Sequence, residues 1–355
     1  MNQPKERIIV LLKTVRMLTS LVILSLVAMI FILLAFLYDD AIMKYVSSIQ
    51  LGIKTIDRSF EKNPKAVFWT SPDFTSIEDE ALKNQVAYGK ELIAHTARYL
   101  GPKGSVMQTT NGMNCQNCHL NAGSKIFGNN YSAVASTYPK FRPRSGAIED
   151  IHKRVNDCLE RSLNGLPLDT LSKEMKAIKA YITFLGSNVT KGEKPPGSGL
   201  KDISYLDRAA DPTRGKQVYI SKCVSCHMHD GRGQLTQDGT EYRYPPLWGI
   251  HSYNDGAGLY RVSTFAKYVR YNMPLGATHI SPALTDEEAW DVAAFVNAQD
   301  RPDMDTPNDW PDISKKPIDH PFGPYTDTFS EKQHKFGPFK PIIEAQKISS
   351  QSLPK

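Results

Sequence analysis

The sequence predicts a mainly α-helical protein, and three features of its 355 residues lead to that fold class. A long uncharged apolar run lies near the N-terminus, two copies of the pattern C-x-x-C-H follow it, and the C-terminal segment is rich in prolines and aromatics without a helical period. The pattern C-x-x-C-H is the attachment signature of c-type heme. We therefore expect an N-terminal transmembrane helix, then two cytochrome c-like heme domains, then an extended C-terminal tail.

The apolar run extends from Met17 to Tyr38 and contains "MLTSLVILSLVAMIFILLAFLY" without a charged residue. About 22 residues at roughly 1.5 Å each would cross the ~30 Å hydrocarbon core of a bilayer. Basic residues precede the run and Asp39 and Asp40 follow it, so the positive-inside rule predicts a cytoplasmic N-terminus. A cleaved signal peptide is the alternative, but the run is too long for one and no convincing cleavage site follows. The expected location is the bacterial inner membrane, single-pass, with the domains that follow in the periplasm.

The two C-x-x-C-H motifs occupy residues 115–119 and 223–227. In such a motif the two cysteines form thioethers to the porphyrin, and the histidine becomes the proximal ligand of the iron. A redox dithiol or half of a zinc site is the alternative for one such motif, but two complete copies on the outer side of a membrane argue against it, and a pair of disulfides would not explain the two histidines. We therefore predict two covalently bound heme c groups as the cofactors. The residues that hold them are Cys115, Cys118, His119, Cys223, Cys226 and His227.

Each motif lies in a repeated unit of a helix, the heme motif, an irregular loop and a closing helix. Upstream, "YGKELIAHTARYL" and "RGKQVYISK" share Gly-Lys before a helical run, and downstream "LSKEMKAIKAYITFL" and "LTDEEAWDVAAFV" are both amphipathic. A stretch rich in Gly, Pro, Ser and Lys between the units is typical of a linker. The predicted organisation is 1–45 as the cytoplasmic N-terminus and membrane anchor, 46–190 as the first cytochrome c domain with the catalytic heme, 191–207 as the linker, 208–300 as the second cytochrome c domain with the electron-transfer heme, and 301–355 as an extended tail that wraps the domains.

The ligand on the opposite side of each iron does much to set its redox potential and reactivity. In the second unit, "YNMPLG" places Met273 in a loop shortly before the closing helix, and the Pro and Gly beside it favour ligation over a core-filling role. The first unit has no methionine in this loop. Matching the closing helices instead brings Cys158 close to the position of Met273. His152 is a competing ligand, and an inert buried thiol is the ordinary role of a lone cysteine.

A thiolate ligand lowers the potential of its iron and suits sulfur chemistry better than simple electron carriage. If the segment around Cys158 is helical, Arg154, Cys158 and Ser162 recur at a four-residue spacing and share one face. Guanidinium groups beside a thiolate lower its pKa and can hold an oxyanion through paired hydrogen bonds. The other interpretation is a solvated basic face that nearby carboxylates balance. Further cations close in sequence are Arg142, Arg144, Lys153 and Arg161.

From about Phe68 to Ile343 the chain resembles the diheme thiosulfate dehydrogenases, a family that includes tetrathionate reductases. The resemblance rests on "YGKELIAHTARYLGP", "NCQNCHLNAG", "YPKFRPRSG", "CLERSLNG", "YPPLWG", "NMPLG" and the tail "PFGPYTDTFSEKQHKFGPFKPI". It implies that Cys158 is both the distal ligand of the catalytic heme and the catalytic sulfur. The residues implied to hold the oxygens of the substrate are Arg144, Arg154 and Ser162.

The implied reaction joins two thiosulfates into tetrathionate with release of two electrons, or runs in reverse. The second heme would exchange electrons with a periplasmic cytochrome or a membrane electron-transfer partner. A membrane-anchored diheme electron carrier without a substrate of its own is the alternative, as is a sulfur-transfer enzyme that attaches thiosulfate to a carrier protein. The net charge of +6 modestly favours an anionic ligand, and no run of Lys and Arg is dense enough to predict a nucleic-acid surface.

Overall fold

The computed structural model describes residues 15–30 and 67–351, with side chains as far as 348. The chain divides into two units, Met1–Ala66 and Val67–Lys355. In the first unit the described residues 15–30 are helical and form α1.

The predicted transmembrane helix extends from Met17 to Tyr38, and its last part, 31–38, lies outside the described residues. Among the residues that are described, no helix is long and apolar enough to cross a membrane. The prediction of an N-terminal transmembrane helix is therefore wrong, and so is the single-pass location in the inner membrane. A membrane span requires both an apolar composition and one helix of about 20 residues, and hydropathy tests only the composition.

The first domain of the second unit is built on two long helices that cross closely. Helix α2 (Glu80–Ala94) begins after Asp79, whose carboxylate accepts hydrogen bonds from backbone N–H groups of the first turn. It packs against α7 (Lys173–Leu185). The crossing requires Gly89, because a Cβ there would lie 2.0 Å from the carbonyl oxygen of Ala177.

Shorter elements complete the first domain and cover one side of this helix pair. They are α3 (Thr96–Leu100), α4 (Leu120–Gly123), α5 (Val134–Thr137), the antiparallel strands β1 (Lys140–Arg142) and β2 (Ala147–Glu149), and α6 (Ile151–Arg161). The hydrophobic core between them is formed by fully buried side chains. Its central members are Leu92, Ile93, Leu100, Leu159, Met175 and Ile178.

The second domain repeats the close helix crossing of the first. Helix α8 (Pro212–Lys222) packs against α11 (Asp286–Asn297), and a Cβ at Gly215 would lie 1.8 Å from the carbonyl oxygen of Asp291. Gly89 and Gly215 are the glycines of the two Gly-Lys pairs in the sequence repeat. The repeated glycine therefore marks the position where the backbones of two helices touch, a contact that only glycine permits.

The other elements of the second domain surround α8 and α11. They are α9 (Val224–His227), the antiparallel strands β3 (Gln234–Leu235) and β4 (Tyr242–Tyr244), and α10 (Val262–Asn272). Buried aromatic side chains dominate this core, among them Tyr219, Phe265 and Trp290. The mainly helical fold that the sequence predicts is confirmed.

The tail departs from the wholly extended chain that its prolines predict. It is mostly irregular as far as Ser330, but α12 (Glu331–Phe336) and α13 (Lys340–Gln351) follow. Phe339 and Ile342 are buried in the core of the second domain. A Gly-Pro pair separates the two helices, so neither segment is long enough to show a clear helical period in the sequence. Burial against the second domain stabilises both helices.

The two domains meet through buried polar groups. Glu241 of the second domain is 5% exposed and accepts hydrogen bonds from three residues of the first. The donors are Arg98 (2.6 Å), Nδ1 of His95 (3.0 Å) and Nδ2 of Asn114 (3.0 Å). Because Asn114 directly precedes the first C-x-x-C-H motif, this contact joins the second domain to the first motif.

Candidate active site

The first C-x-x-C-H motif is fixed by hydrogen bonds to neighbouring backbone and side chains. The backbone N–H of Cys115 donates to Oγ1 of Thr96 (2.9 Å), and His119 donates its Nδ1–H to the carbonyl oxygen of Asn129 (2.5 Å). Because a carbonyl oxygen can only accept, the second bond fixes the tautomer of His119. Its Nε2 is therefore unprotonated, as an iron ligand requires.

The surroundings of His119 keep the imidazole neutral. Burial lowers its pKa to about 4, and the positive charge of Arg154 lowers it further, although the hydrogen bond to Asn129 acts in the opposite direction. The ring stacks on Tyr131 with 4.5 Å between the ring centroids. The side chain is thus held in one orientation and in the state that binds a metal.

The second motif has the same arrangement. His227 donates its Nδ1–H to the carbonyl oxygen of Pro245 (2.8 Å), and burial lowers the pKa of its imidazole. The two predicted proximal histidines therefore have the same tautomer. Each donates to a backbone carbonyl of its own domain, and both are in buried surroundings.

The motif cysteines suit thioether bonds to a porphyrin. All five cysteines of the chain are unpaired thiols in the structure. Burial raises the pKa of Cys115 and Cys118 to about 12 and that of Cys223 to about 11, so these thiols do not ionise readily. Among the described residues, no group of three or more His, Cys, Asp and Glu side chains could hold a metal ion. The environment therefore fits a covalently attached heme better than a zinc ion.

The first heme cavity, as we call the cavity at the first motif, has a volume of about 400 Å³. His119 and both cysteines of the motif line it, and so does Cys158 on α6. These residues fit a c-type heme because they surround one space with two attachment positions and two candidate axial ligands. The competing ligand His152 does not line this cavity, and its Nδ1 pairs instead with Asp150 (2.8 Å).

The second heme cavity lies at the second motif and also measures about 400 Å³. His227 and both motif cysteines line it, and Met273 lines it from the loop after α10. Asn114 and Cys118 of the first domain line both heme cavities. The two cavities are therefore adjacent.

Cations surround Cys158. The first heme cavity is lined by Lys140, Arg142, Arg154 and Lys194, and no Asp or Glu of the described chain lines it. The guanidinium of Arg154 has no hydrogen bond or ion pair with any residue that the structure describes. Interaction with Cys158 is the largest of the influences that raise the pKa of Arg154, ahead of those of Tyr138, Asp157 and Glu149. The two side chains therefore interact electrostatically, and an anion could bind to the same guanidinium.

An outer cavity of about 510 Å³ adjoins the first heme cavity. Arg142, Arg154 and Ser162 line both, whereas Arg144 lines only the outer one and forms an ion pair with Asp157. Of the three predicted substrate residues, Arg154 and Ser162 therefore lie at the boundary of the two cavities. Arg144 lies farther from Cys158.

The C-terminal tail forms part of the outer cavity wall. Arg161 of α6 donates two hydrogen bonds of 2.8 Å to the carboxylate of Asp309. The backbone N–H of Trp310 donates to the carbonyl oxygen of Arg144 (2.7 Å). Because both tail residues line the outer cavity, these bonds hold the tail beside the predicted substrate residues.

Sequence reasoning does not identify Lys140 and Lys194 as site residues. Lys194 belongs to the predicted linker, but the backbone there is bonded to the first domain, as from the N–H of Phe127 to the carbonyl oxygen of Gly197 (2.9 Å). Glycine, proline and lysine in a row are typical of a solvated linker, so no pattern in the sequence indicated a role for Lys194. Lys140 lies in "YPKFRPRSG", one of the stretches that carry the family resemblance, and that signal could have identified it.

Family models match two parts of the chain. A model described as "SoxA/TsdA, cytochrome c domain" matches residues 105–190, and a cytochrome c model matches residues 212–300. Each match contains one C-x-x-C-H motif. The prediction of two c-type hemes as cofactors is therefore confirmed.

Thiosulfate dehydrogenases from several bacteria are similar to the chain. That of Psychrobacter arcticus is 36% identical over 243 residues, which are 68% of this chain and 71% of the relative. That of Allochromatium vinosum is 34% identical over 245 residues, which are 68% of this chain and 87% of the relative. Among solved structures, thiosulfate dehydrogenase (TsdBA) from Marichromatium purpuratum in its as-isolated form matches with a TM-score of 0.61 and 31% identity. That match covers 68% of this chain and 52% of the solved one.

Proposed function

Because the chain belongs to the thiosulfate dehydrogenase family, we propose that it is a diheme cytochrome that joins two thiosulfates into tetrathionate, or runs the reverse reduction. One observation carries most of the support. The first heme cavity combines Cys158 with the unpaired guanidinium of Arg154, and no carboxylate of the described chain lines it. An electron carrier needs a heme alone, whereas this cavity also offers a nucleophile and an anion-binding group.

In this proposal His119 and Cys158 would hold the iron of the first heme, and His227 and Met273 would hold that of the second. Each pair lines one cavity, which supports the assignment. Thiolate ligation lowers the potential of an iron and methionine ligation raises it. The two hemes, when bound, accept one electron each, and the difference in ligands favours electron flow from the first site to the second.

Arg154 and Ser162 bind the sulfonate oxygens of thiosulfate beside Cys158. They lie about one helical turn before and after it, Arg154 within α6 and Ser162 at its C-terminal cap. A guanidinium can give two parallel hydrogen bonds to a sulfonate, and a serine hydroxyl can add a third. Arg144 lines the outer cavity and attracts the anion before it reaches this position.

The sulfur of Cys158 is the reacting group. Its thiolate bonds to the outer sulfur of one thiosulfate, and formation of this S–S bond releases two electrons to the hemes. The outer sulfur of a second thiosulfate then attacks the thiosulfate sulfur bonded to Cys158. The bond to Cys158 breaks, tetrathionate leaves, and the thiolate is restored without gain or loss of a proton.

The second heme passes the electrons to a small redox protein, such as another cytochrome. Leu275 supports this assignment, because it lines the second heme cavity and is 67% exposed. An exposed apolar side chain at the edge of a heme site suits contact with a protein partner.

The test is thiosulfate-dependent reduction of an artificial oxidant by the purified diheme protein, with tetrathionate reduction measured separately. Cys158→Ala should remove both activities and leave both hemes attached, as their absorbance would show, because the reacting sulfur is lost. A protein that carries both hemes and acts on neither sulfur compound would contradict the proposal and favour an electron carrier.

The same assay tests the anion-binding group. Arg154→Gln should lower kcat/KM for thiosulfate by about 100-fold, because a charge-assisted hydrogen bond contributes ~2–3 kcal/mol and about 1.4 kcal/mol is tenfold. Arg243→Gln is the matched control, since Arg243 lines the second heme cavity and is exposed. An equal loss in both variants would mean that Arg154 has no special relation to the substrate.

A further inference from the structure

The first heme cavity contains more cations than the proposed reaction uses. Arg154 interacts with Cys158, but Lys140, Arg142 and Lys194 line the same cavity. Within the described part of the chain, neither lysine side chain has a hydrogen bond or an ion pair. Three positive charges therefore share this cavity without a carboxylate in its lining.

These three side chains are close enough to affect one another. Burial lowers the pKa of Lys140, and the charges of Arg142 and Lys194 lower it further. Lys140 is half-buried with its Nζ 4.6 Å from the ring centroid of Tyr138, whereas Lys194 is exposed. Nε of Arg142 forms an ion pair of 3.8 Å with the buried Glu149, which is longer than a hydrogen bond, and Glu149 also acts to raise the pKa of Lys140. One carboxylate does not compensate three cations, so an anion that binds among them would reduce their repulsion.

We propose that Lys140, Arg142 and Lys194 form an oxyanion subsite that is separate from Arg154 and Ser162. Its ligand is a singly charged oxyanion group, and two sources can supply one. The first is the sulfonate of the second thiosulfate, and this source rests on the proposed function. The second is a propionate carboxylate of the first heme, and this source rests on the heme alone.

The second step of the proposed reaction, the attack by the second thiosulfate, indicates what the subsite would do. A dianionic thiosulfate must approach the thiosulfate group already bonded to Cys158, which carries its own sulfonate charge. The S–S bond that forms joins the two outer sulfurs, and the electron pair of the bond that breaks returns to the sulfur of Cys158. Separate cations for the two sulfonates would reduce the repulsion between them at this step.

The test compares Lys140→Gln/Lys194→Gln with Lys176→Gln in the full-length diheme protein. Lys176 is an exposed residue of α7 that does not line the cavity, so its variant controls for loss of charge. The first measurement is the rate at which added thiosulfate releases the group bonded to Cys158, followed by rapid mixing and mass spectrometry of the intact protein. The second is the reduction potential of the first heme, from a spectroscopic redox titration. Lys140→Arg/Lys194→Arg keeps the charges and should behave as the unaltered protein.

A sulfonate ligand predicts a rate of release about tenfold lower for each lysine lost, with formation of the adduct little changed. A propionate ligand predicts a lower potential of the first heme, because removal of positive charge favours the oxidised iron, while the rate of release changes less. Either result supports the subsite and identifies its ligand. If the double variant matches Lys176→Gln in both measurements, the subsite is wrong. If the unaltered protein forms neither adduct nor tetrathionate, the proposed function fails, and the potential alone then decides whether the subsite exists.

Discussion

The two heme domains share a scaffold and differ in the element that lies across the cavity from the histidine. In both, two helices cross at a glycine, Gly89 or Gly215, and the motif histidine donates its Nδ1–H to a backbone carbonyl. Helix α6 supplies Cys158 to the first cavity, whereas a loop supplies Met273 to the second. The comparison teaches that the two heme domains share the backbone contacts that fix the motif histidine, while in the proposed function one side chain from a differing element determines the chemistry of each heme.

The charges around the two cavities differ as well. Cations of the first cavity lack carboxylate partners in its lining. In the second cavity, Lys222 pairs with Glu288 (2.8 Å), and the buried Glu241 pairs with Arg98 (2.6 Å). Lys140, Arg154 and Lys194 of the first cavity have no ion pair within the described chain, whereas only Arg243 among the described cations of the second cavity lacks one, so the first cavity is better suited to binding an anion.

The strongest way to break the comparison is to give the first domain the ligand of the second. Cys158→Met should raise the potential of the first heme, because a thioether donates less electron density than a thiolate. It should also lower thiosulfate oxidation on the order of 1,000-fold, because the sulfur that is proposed to react is lost. Redox titration and turnover assays measure the two effects, with Met273→Ala as the control that leaves Cys158 in place. Turnover that survives in Cys158→Met would show that the ligand does not determine the chemistry.

The shared helix crossing can be tested in both domains with the same substitution. Gly89→Ala and Gly215→Ala should each lower the free energy of unfolding by about 3 kcal/mol, because the added Cβ would lie within 2.0 Å of a carbonyl oxygen. Gly258→Ala is the control, since no atom lies within 4 Å of its added Cβ. Denaturant unfolding monitored by circular dichroism gives the three values. A loss confined to one of the two glycines would show that the two crossings are not equivalent.

Acidification should affect the outer cavity, which adjoins only the first heme cavity. Burial lowers the pKa of His320 to about 4, with a further contribution from Lys316, and His320 lines this cavity. The folded state therefore favours the neutral ring, so its contribution to stability is complete above about pH 6.5 and is lost as the pH falls towards 4. The expected loss is about 2 kcal/mol, allowing for partial exposure.

Unfolding measured at several pH values between 4 and 7 tests this prediction. His320→Gln should flatten the profile in that range, whereas His251→Gln, at an exposed position, should leave the slope unchanged. A profile that is equally steep without His320 would assign the acid sensitivity to other groups.

Local patterns in the sequence predict much of the fold and part of the candidate site. The C-x-x-C-H motifs and the amphipathic closing helices depend on spacing along the chain, so they identify both cytochrome c domains. The four-residue spacing of Arg154, Cys158 and Ser162 places them on one side of α6, and the structure brings Arg154, Cys158 and Ser162 to one cavity. Their roles remain predictions.

Features that depend on tertiary contacts could not be predicted in the same way. Lys194 lines the first heme cavity because its segment is bonded to the first domain, and no periodicity in the sequence records such a contact. The helices of the tail form against the second domain, so their short segments carry little signal of their own. The apolar run from Met17 did not predict a membrane span correctly, since no helix of the described residues could cross a membrane.

The segment that connects the two domains also bears on how the family can change during evolution. Connecting segments usually tolerate insertions and allow domains to be exchanged between proteins. Here the connection supplies Lys194, Ser198 and Gly199 to the wall of the first heme cavity. A recombination event at the family-model boundary, residue 190, would transfer the first domain without that wall. A complete first heme cavity therefore requires the cytochrome c domain together with the connection that follows it.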